Sequence, residues 1–314
     1  MRRLNFGWFG GLLLFALVVV RPVVYPQFTI NAGLLTVASI ACLYVYSRFQ
    51  EESALILGCI LAFLGFLIRK EEFLMIALAS APLFLSKDLL FNRRFFGWLL
   101  GLFLSISVAY AIDLYAYSGS EWKVFNELRP SLVSILDFGG GGHLRTRPDI
   151  FLKHGFSGND VDLVNNWFFD DPAIANPDLL KLFLKELGPL STQENALKKG
   201  LIGLKAFWSV ELIPMLSVGL LLILMRPSWR VIGCWILCIT GVFLIGLSGR
   251  PGVIRVYVPI VSLMAIAPLL ARDFSNVTRR ITILALLIAS SYSSWRILNV
   301  ARGNKSAIES TRQG

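Results

Sequence analysis

His154-Gly-Phe-Ser-Gly-Asn-Asp-Val-Asp-Leu-Val-Asn-Asn-Trp-Phe-Phe-Asp-Asp171 lies in the only long piece of this chain, about Tyr117 to Lys205, that a lipid bilayer could not hold. Its run of aspartates and asparagines is too polar for hydrocarbon, where unpaired polar groups are strongly disfavoured. Outward from it in both directions the chain turns apolar. A membrane-crossing helix needs about 20 mostly apolar residues. Nine segments answer to that description, near 7–25, 28–46, 53–69, 73–86, 95–116, 206–225, 230–248, 253–271 and 281–298, with 73–86 the shortest. The expected fold is all-α: a polytopic transmembrane helix bundle of about nine spans with a small, mostly helical extracytoplasmic cap. Its expected divisions are an N-terminal bundle over 1–116, the cap region over 117–205, a C-terminal bundle over 206–298 and a polar tail over 299–314.

Composition agrees with that reading. Of the 314 residues 55% are hydrophobic and 16% charged, whereas about 25% of residues are charged in soluble domains. The net charge of +10 would suggest nucleic acid for a soluble protein. In a membrane protein the short cytoplasmic loops carry excess Lys and Arg for orientation alone, so no nucleic-acid partner is expected. Cys42, Cys59, Cys234 and Cys238 all fall in apolar segments without a nearby His and read as packing residues. No metal site and no cofactor are expected, with a divalent cation left open. Met1-Arg-Arg and the run Phe6 to Val20 look like a signal sequence, but no small-x-small site precedes Arg21-Pro22, so an uncleaved signal anchor is expected.

The Lys/Arg distribution sets an orientation in a cell membrane. With the N-terminus cytoplasmic, that side receives Arg2, Arg3, Arg48, Lys87, Arg93, Arg94, Arg226, Arg230, Arg272, Arg279 and Arg280. The other side receives Arg69, Lys70, Arg250 and Arg255, with Arg302, Lys305 and Arg312 in the tail, and also the 117–205 region. The minority cations sit at span ends, in Ile68-Arg-Lys-Glu-Glu-Phe73 and Ser248-Gly-Arg-Pro-Gly-Val-Ile-Arg-Val-Tyr257. Charge there is costly unless it is paired, faces a polar cavity or snorkels to the headgroups. Around Arg250 and Arg255 the breakers Gly249, Pro251 and Gly252 suggest backbone opened around something. Gly7-x-x-x-Gly11 and Gly97-x-x-x-Gly101 are spacings that let spans approach closely.

Inside the polar region, Gly139 to Gly142 is expected to break any regular element. With His143, Arg145 and Arg147 beside it, it reads as a flexible connector rather than a phosphate loop, since the Lys-Ser/Thr of a P-loop is absent. Ser157 caps a helix with Asp160 three residues on, followed by an apolar stripe of Val161, Leu163, Val164, Trp167 and Phe168 and a stop at Asp170-Asp-Pro172. Asn176-Pro-Asp178 starts another, buried along Leu179, Leu180, Phe183, Leu184 and Leu187 and stopped by Gly188-Pro189. Ser191-Thr-Gln-Glu194 is a capping box leading into a basic amphipathic helix suited to the bilayer interface. The region reads as a cap rather than an independent domain.

Three pieces carry a family resemblance. Leu67-Ile-Arg-Lys-Glu-Glu-Phe-Leu74 is similar to the "Arg-x-Glu, then apolar" start of a helix in GT-C superfamily glycosyltransferases. Arg255-Val-Tyr-Val-Pro-Ile260 resembles the "Arg-Tyr-x-x-Pro" start of one of their late helices. Phe125-Asn-Glu-Leu-Arg-Pro130, Gly155-Phe-Ser-x-Asn-Asp160 and Trp167-Phe-Phe-Asp170 together look like bacterial membrane proteins of surface polysaccharide synthesis.

The resemblance implies an integral membrane glycosyltransferase working outside the cytoplasm on a polyprenyl-phosphate sugar donor and a glycan acceptor, with membrane lipid around it. It assigns phosphate binding to Arg69 and Arg255, joined by Arg250, and extends the substrate-binding set to Glu71, Glu72 and Arg129. Guanidinium suits that role because it is always charged and grips phosphate bidentately. A carboxylate would serve as general base on the acceptor hydroxyl. The family carries that acid in a large loop after the first span, and here the loop is about Tyr25 to Gln27, with none. The base is therefore sought in the later loop, at Asp160 and Asp137 first and Asp170 after them, against a capping and solvating role for each. Two other classes use the same features: a transporter or flippase of a lipid-linked or anionic solute, and a non-catalytic subunit working with a membrane protein partner.

Overall fold

The computed structural model describes residues 7–85, 89, 92–166, 168, 171–188, 196–271 and 275–313, the last nine by backbone alone. Every regular element among them is helical. The chain forms two compact units, one over Met1–Ser107, Gly203–Phe243 and Gly252–Gly314, the other over Val108–Ile202 and Leu244–Pro251, each taken over its described residues.

The first unit holds α1 (Gly7–Val24), α2 (Phe28–Phe49), α3 (Glu52–Ile68), α4 (Lys70–Ser80), the first part of α5 (Arg93–Ala116), and, after the second unit's helices, α12 (Ile213–Met225), most of α13 (Trp229–Leu247), α14 (Ile254–Ala271) and α15 (Asn276–Gln313). The helices α1, α2, α5, α13 and the 276–304 part of α15, five in all, are long and apolar enough to cross a membrane. The count is six if Ala196–Trp208 and Ile213–Met225, bent by 87°, make one span. The remaining apolar segments give shorter helices. Thus α3 has 17 residues, and α4 stops after 11 where Pro82 tightens the chain into the 3-10 turn Ala81–Phe84. An apolar stretch of sequence is longer than the helix it contains, because proline and capping residues spend part of it.

The centre of this unit is α2, which packs on α3, α4 and α14. It is apolar all round, as an interior helix should be, and its polar residues are bonded. The Ser39 hydroxyl donates to the Gly58 carbonyl at 2.7 Å, across to α3, and the Thr36 hydroxyl donates to Ala32 at 2.8 Å within α2. Small residues let these backbones meet. A Cβ on Gly33 would come to 2.4 Å from the Pro259 ring of α14, and one on Gly65 to 2.7 Å from the Thr36 hydroxyl. Close approach at small residues is the way helices associate where apolar surface gains nothing by burial. The spaced pair Gly97 and Gly101 is not among these contacts; both positions look onto open space. Motif spacing names glycines on one helix face, but only a neighbouring helix makes that face an interface.

The second unit contains α6 (Lys123–Leu136), α7 (Gly140–Arg145), α8 (Pro148–Leu152), α9 (Gly158–Asn165), α10 (Pro177–Leu187) and the start of α11 (Ala196–Lys205). Leu128, Leu132 and Ile135 recur at helical spacing on α6 and close with Leu144, Phe151, Phe156, Val161, Leu180 and Phe183 into one buried cluster. The apolar stripes of these helices face one another and form a core of their own. The Gly139–Gly142 run also differs from expectation. Only Gly139, at φ +77°, breaks the chain, while Gly140 to Gly142 begin α7. A Cβ on Gly140 would meet the Ser134 carbonyl at 2.8 Å, and one on Gly141 would meet the Asn165 side chain at 2.4 Å. These glycines serve packing density.

Both caps of α9 and α10 form as their residue types require. Ser157 and Asp160 make a reciprocal capping box, and Asn176 accepts from the N–H groups of Asp178 and Leu179 ahead of Pro177. The helix α9 is shorter than its stripe: it ends at Asn165, where the Asn166 amide and N–H take up Asp162 and neighbouring carbonyls before Asp170-Asp-Pro172 is reached. Trp167 and the Ser191–Glu194 box lie outside the described residues.

Candidate functional site

In the first unit Arg69 is the best-organised of the cations singled out from the sequence. It joins α3 to α4 in extended conformation, its N–H bonding the Gly65 carbonyl and its own carbonyl accepting from Phe73 N–H at 3.1 Å. Its guanidinium donates to the Thr29 hydroxyl at 2.5 Å and lies 5.3 Å from the Phe28 ring, an attractive cation–π distance. Glu71 and Glu72 each stand 3.8 Å from Nε, within ionic attraction but beyond a hydrogen bond. Glu72 is 3% exposed; a buried carboxylate is tolerable beside a fixed cation. The three residues expected from the sequence at this point therefore assemble, with Arg69 positioned and donors of its fork left over.

The same unit holds an apolar cavity of about 410 Å³, lined among others by Thr36, Ala62, Phe73, Ala77, Phe84 and Phe95. Phe73 is one helical turn from Arg69 and stands in its wall. Arg255, in the first turn of α14, is half-buried and makes no ion pair among the described residues. The nearby Gly252 N–H is taken by the Tyr257 hydroxyl at 3.0 Å, and Pro259 of the same segment packs on Gly33.

In the second unit Arg250 and Asp137, one expected to bind substrate and the other to act as base, are each other's partner. Arg250 donates to the Asp137 carboxylate at 2.8 Å and stacks 5.9 Å over Phe138, with both charged side chains about a quarter exposed. Asp160 is held otherwise: its carboxylate accepts from the Ser157 N–H at 2.7 Å and hydroxyl at 2.8 Å. The backbone N–H first, then the hydroxyl, hold its carboxyl below the ordinary aspartate value, which weakens it as a proton acceptor. Arg129 is exposed on α6, and Asp170 lies outside the described residues. The cations beside the glycines are engaged with acids, Arg145 with Asp162 at 3.1 Å and Arg147 with Asp149 in a two-bond fork. Among the described residues no cluster of His, Cys, Asp or Glu fits a metal ion.

Sequence reasoning missed a second cavity of the first unit. It is lined by Arg21 in the last turn of α1, Tyr25 just after it, Gln27 before α2, Glu211 before α12, and Ser293 and Arg296 of α15, among others. The signal was present: an arginine inside an apolar span is by default a functional candidate. Arg21 was instead absorbed into the end of a signal-like run, and Arg296 into the last span.

These features define a helical protein with five to six candidate membrane spans and a separately cored polar unit. Compared with protein-family models, with curated proteins and with solved structures, the chain matches none.

Proposed function

We propose that this is an integral membrane protein of cell-surface polysaccharide assembly that binds a polyprenyl-phosphate-linked sugar at Arg69 and transfers the sugar to a glycan acceptor. The observation that carries it is the positioned guanidinium of Arg69 in a unit that also holds an apolar cavity, with Phe73, one turn along the chain from Arg69, in the cavity wall. A phosphate-headed lipid with a long hydrocarbon chain asks for both, the fork for its oxygens and the slot for its chain. Glu71 would accept from sugar hydroxyls, while Glu72 holds the cation. The transfer step needs a carboxylate base on the acceptor hydroxyl. In this reading α3, α4, α12 and α14 cross alongside the five longer helices to give nine spans. The N-terminus is then cytoplasmic and the 117–205 region outside. Lipid and a membrane protein partner complete its surroundings.

The test is transfer and retention of a polyprenyl-phosphate sugar by the purified chain. Arg69→Lys keeps the charge beside Glu72 but loses the bidentate fork, and we expect donor binding to fall about tenfold or more, the weight of a lost charge-assisted bond. Normal binding by Arg69→Lys refutes the site; binding without chemical change, followed by counterflow in proteoliposomes, makes the protein a transporter.

A further inference from the structure

The cavity at Arg21 has no part in the reading above and stands on its own observations. Its volume is about 250 Å³. Two of its wall groups, the Arg21 Nε and the Tyr25 hydroxyl, are buried with no hydrogen-bond partner among the described residues. Leaving a buried donor unmet costs about 1–3 kcal/mol, and more when it is charged. A guanidinium cannot escape by losing its proton and can only donate. Both unmet groups thus ask for acceptor oxygens.

The surrounding charge selects the kind of acceptor. Arg296 supplies a second guanidinium to the wall, and Glu211 stands 3.7 Å from it, close enough to orient it and too far for a hydrogen bond. No other ionisable acid or base lines the cavity besides Arg21, so one positive charge is left over among the described residues. Leu17 and Val18, a turn before Arg21 on α1, continue the same wall as apolar surface. From these observations we propose that the cavity is a binding site for a phosphate-type oxyanion, carried by a lipid headgroup or by a free solute. Phosphate presents charged oxygens on several sides and can meet Arg21, Tyr25 and Arg296 at once, and guanidinium grips it bidentately.

Purified full-length protein in phosphate-free detergent buffer is titrated with radiolabelled inorganic phosphate. In parallel it is placed in nanodiscs of phosphatidylcholine with and without phosphatidic acid, and retained lipid is counted by native mass spectrometry. Saturable binding of phosphate marks a solute site, and selective retention of phosphatidic acid marks a lipid site. In either arm Arg21→Gln should weaken binding about tenfold or more. Tyr25→Phe, which keeps the ring, should weaken it several-fold, and Glu211→Gln should tighten it by removing the opposing charge. Lys181→Gln, a charge loss on the exposed face of α10, should change nothing. Should Arg21→Gln fail to fold, the opposite signs of Tyr25→Phe and Glu211→Gln decide. If the wild type binds neither probe saturably, or if both those variants bind as it does, the cavity holds water only and the proposal falls. The Arg69 reading is untouched by that failure, because Arg69→Lys scores it separately.

Discussion

The two compact units differ in which residues they leave on the outside. In the second, Leu128, Leu132, Ile135, Phe156 and Phe183 are hidden together, and the ion pairs Arg145–Asp162, Arg147–Asp149 and Lys153–Glu186 lie outside them. In the first, Thr29, Thr36, Ser39, Ser262 and Thr282 are buried, while Leu100, Phe103, Leu104 and Leu224 stand exposed. Of all of α5 only Phe95 is buried. The second unit is held by removing apolar area from water; the first joins an apolar cluster of Leu43, Tyr46, Leu55 and Phe95 to close backbone contacts and bonded hydroxyls, with further apolar surface turned outward. The same residue types therefore have different weights in the two units.

Substitution can break that contrast, most strongly at the second unit's core. Phe183→Ala should cost about 3–5 kcal/mol, whereas Leu100→Ala on the outward face of α5 should stay within about 0.5 kcal/mol. Thermal unfolding of the purified chain compares them, and equal losses would erase the distinction. Next in size is the small-residue contact of the first unit. Gly33→Leu overpacks against Pro259 and should cost about 1–3 kcal/mol, while Gly97→Leu, facing open space, should be neutral by the same measurement.

Smaller effects sharpen the picture of the second unit's surface. Breaking the Arg250–Asp137 bond with Asp137→Asn should cost about 1 kcal/mol or less, as half-solvated pairs do. A double-mutant cycle with Arg250→Gln isolates the coupling, and a coupling of zero would mean that solvent screens the pair completely. The least effect is one of pH. His154 first, then Lys153, bond the Glu186 carboxylate and hold its pKa below the ordinary value, and Ser157 does the same for Asp160. A carboxyl depressed in the folded state stabilises it fully above the unfolded value, and the contribution is lost as pH falls through the folded one. Acid unfolding of the second unit, followed by hydrogen exchange at Val161 and Leu180, should therefore begin below about pH 4. Glu186→Gln should flatten that dependence, and a curve unchanged by the substitution would remove the assignment.

Local chemistry was legible wherever the answer lay within a few residues. The capping box at Ser157, the Asn176-Pro177 start and the apolar side of α10 all follow from types and spacing. Length was less legible, since Asn166 ended α9 before its stripe ran out, and Pro82 shortened the fourth apolar segment. The site was legible in part. Arg69 with Glu71 and Glu72 is a local group and stands together, whereas Asp137 and Arg250 are 113 residues apart and gave no sign of pairing.

From the sequence alone came the all-helical character, the apolar segments and the polar stretch that interrupts them, because helix formation and membrane compatibility depend on residues within one or two turns. Only the tertiary structure decided which glycines carry contacts, that the polar stretch has its own core, and that Arg21 and Tyr25 are left facing a cavity. Each of these depends on which helix becomes a neighbour, and that choice is made by the fit of many side chains at once, which no single segment encodes.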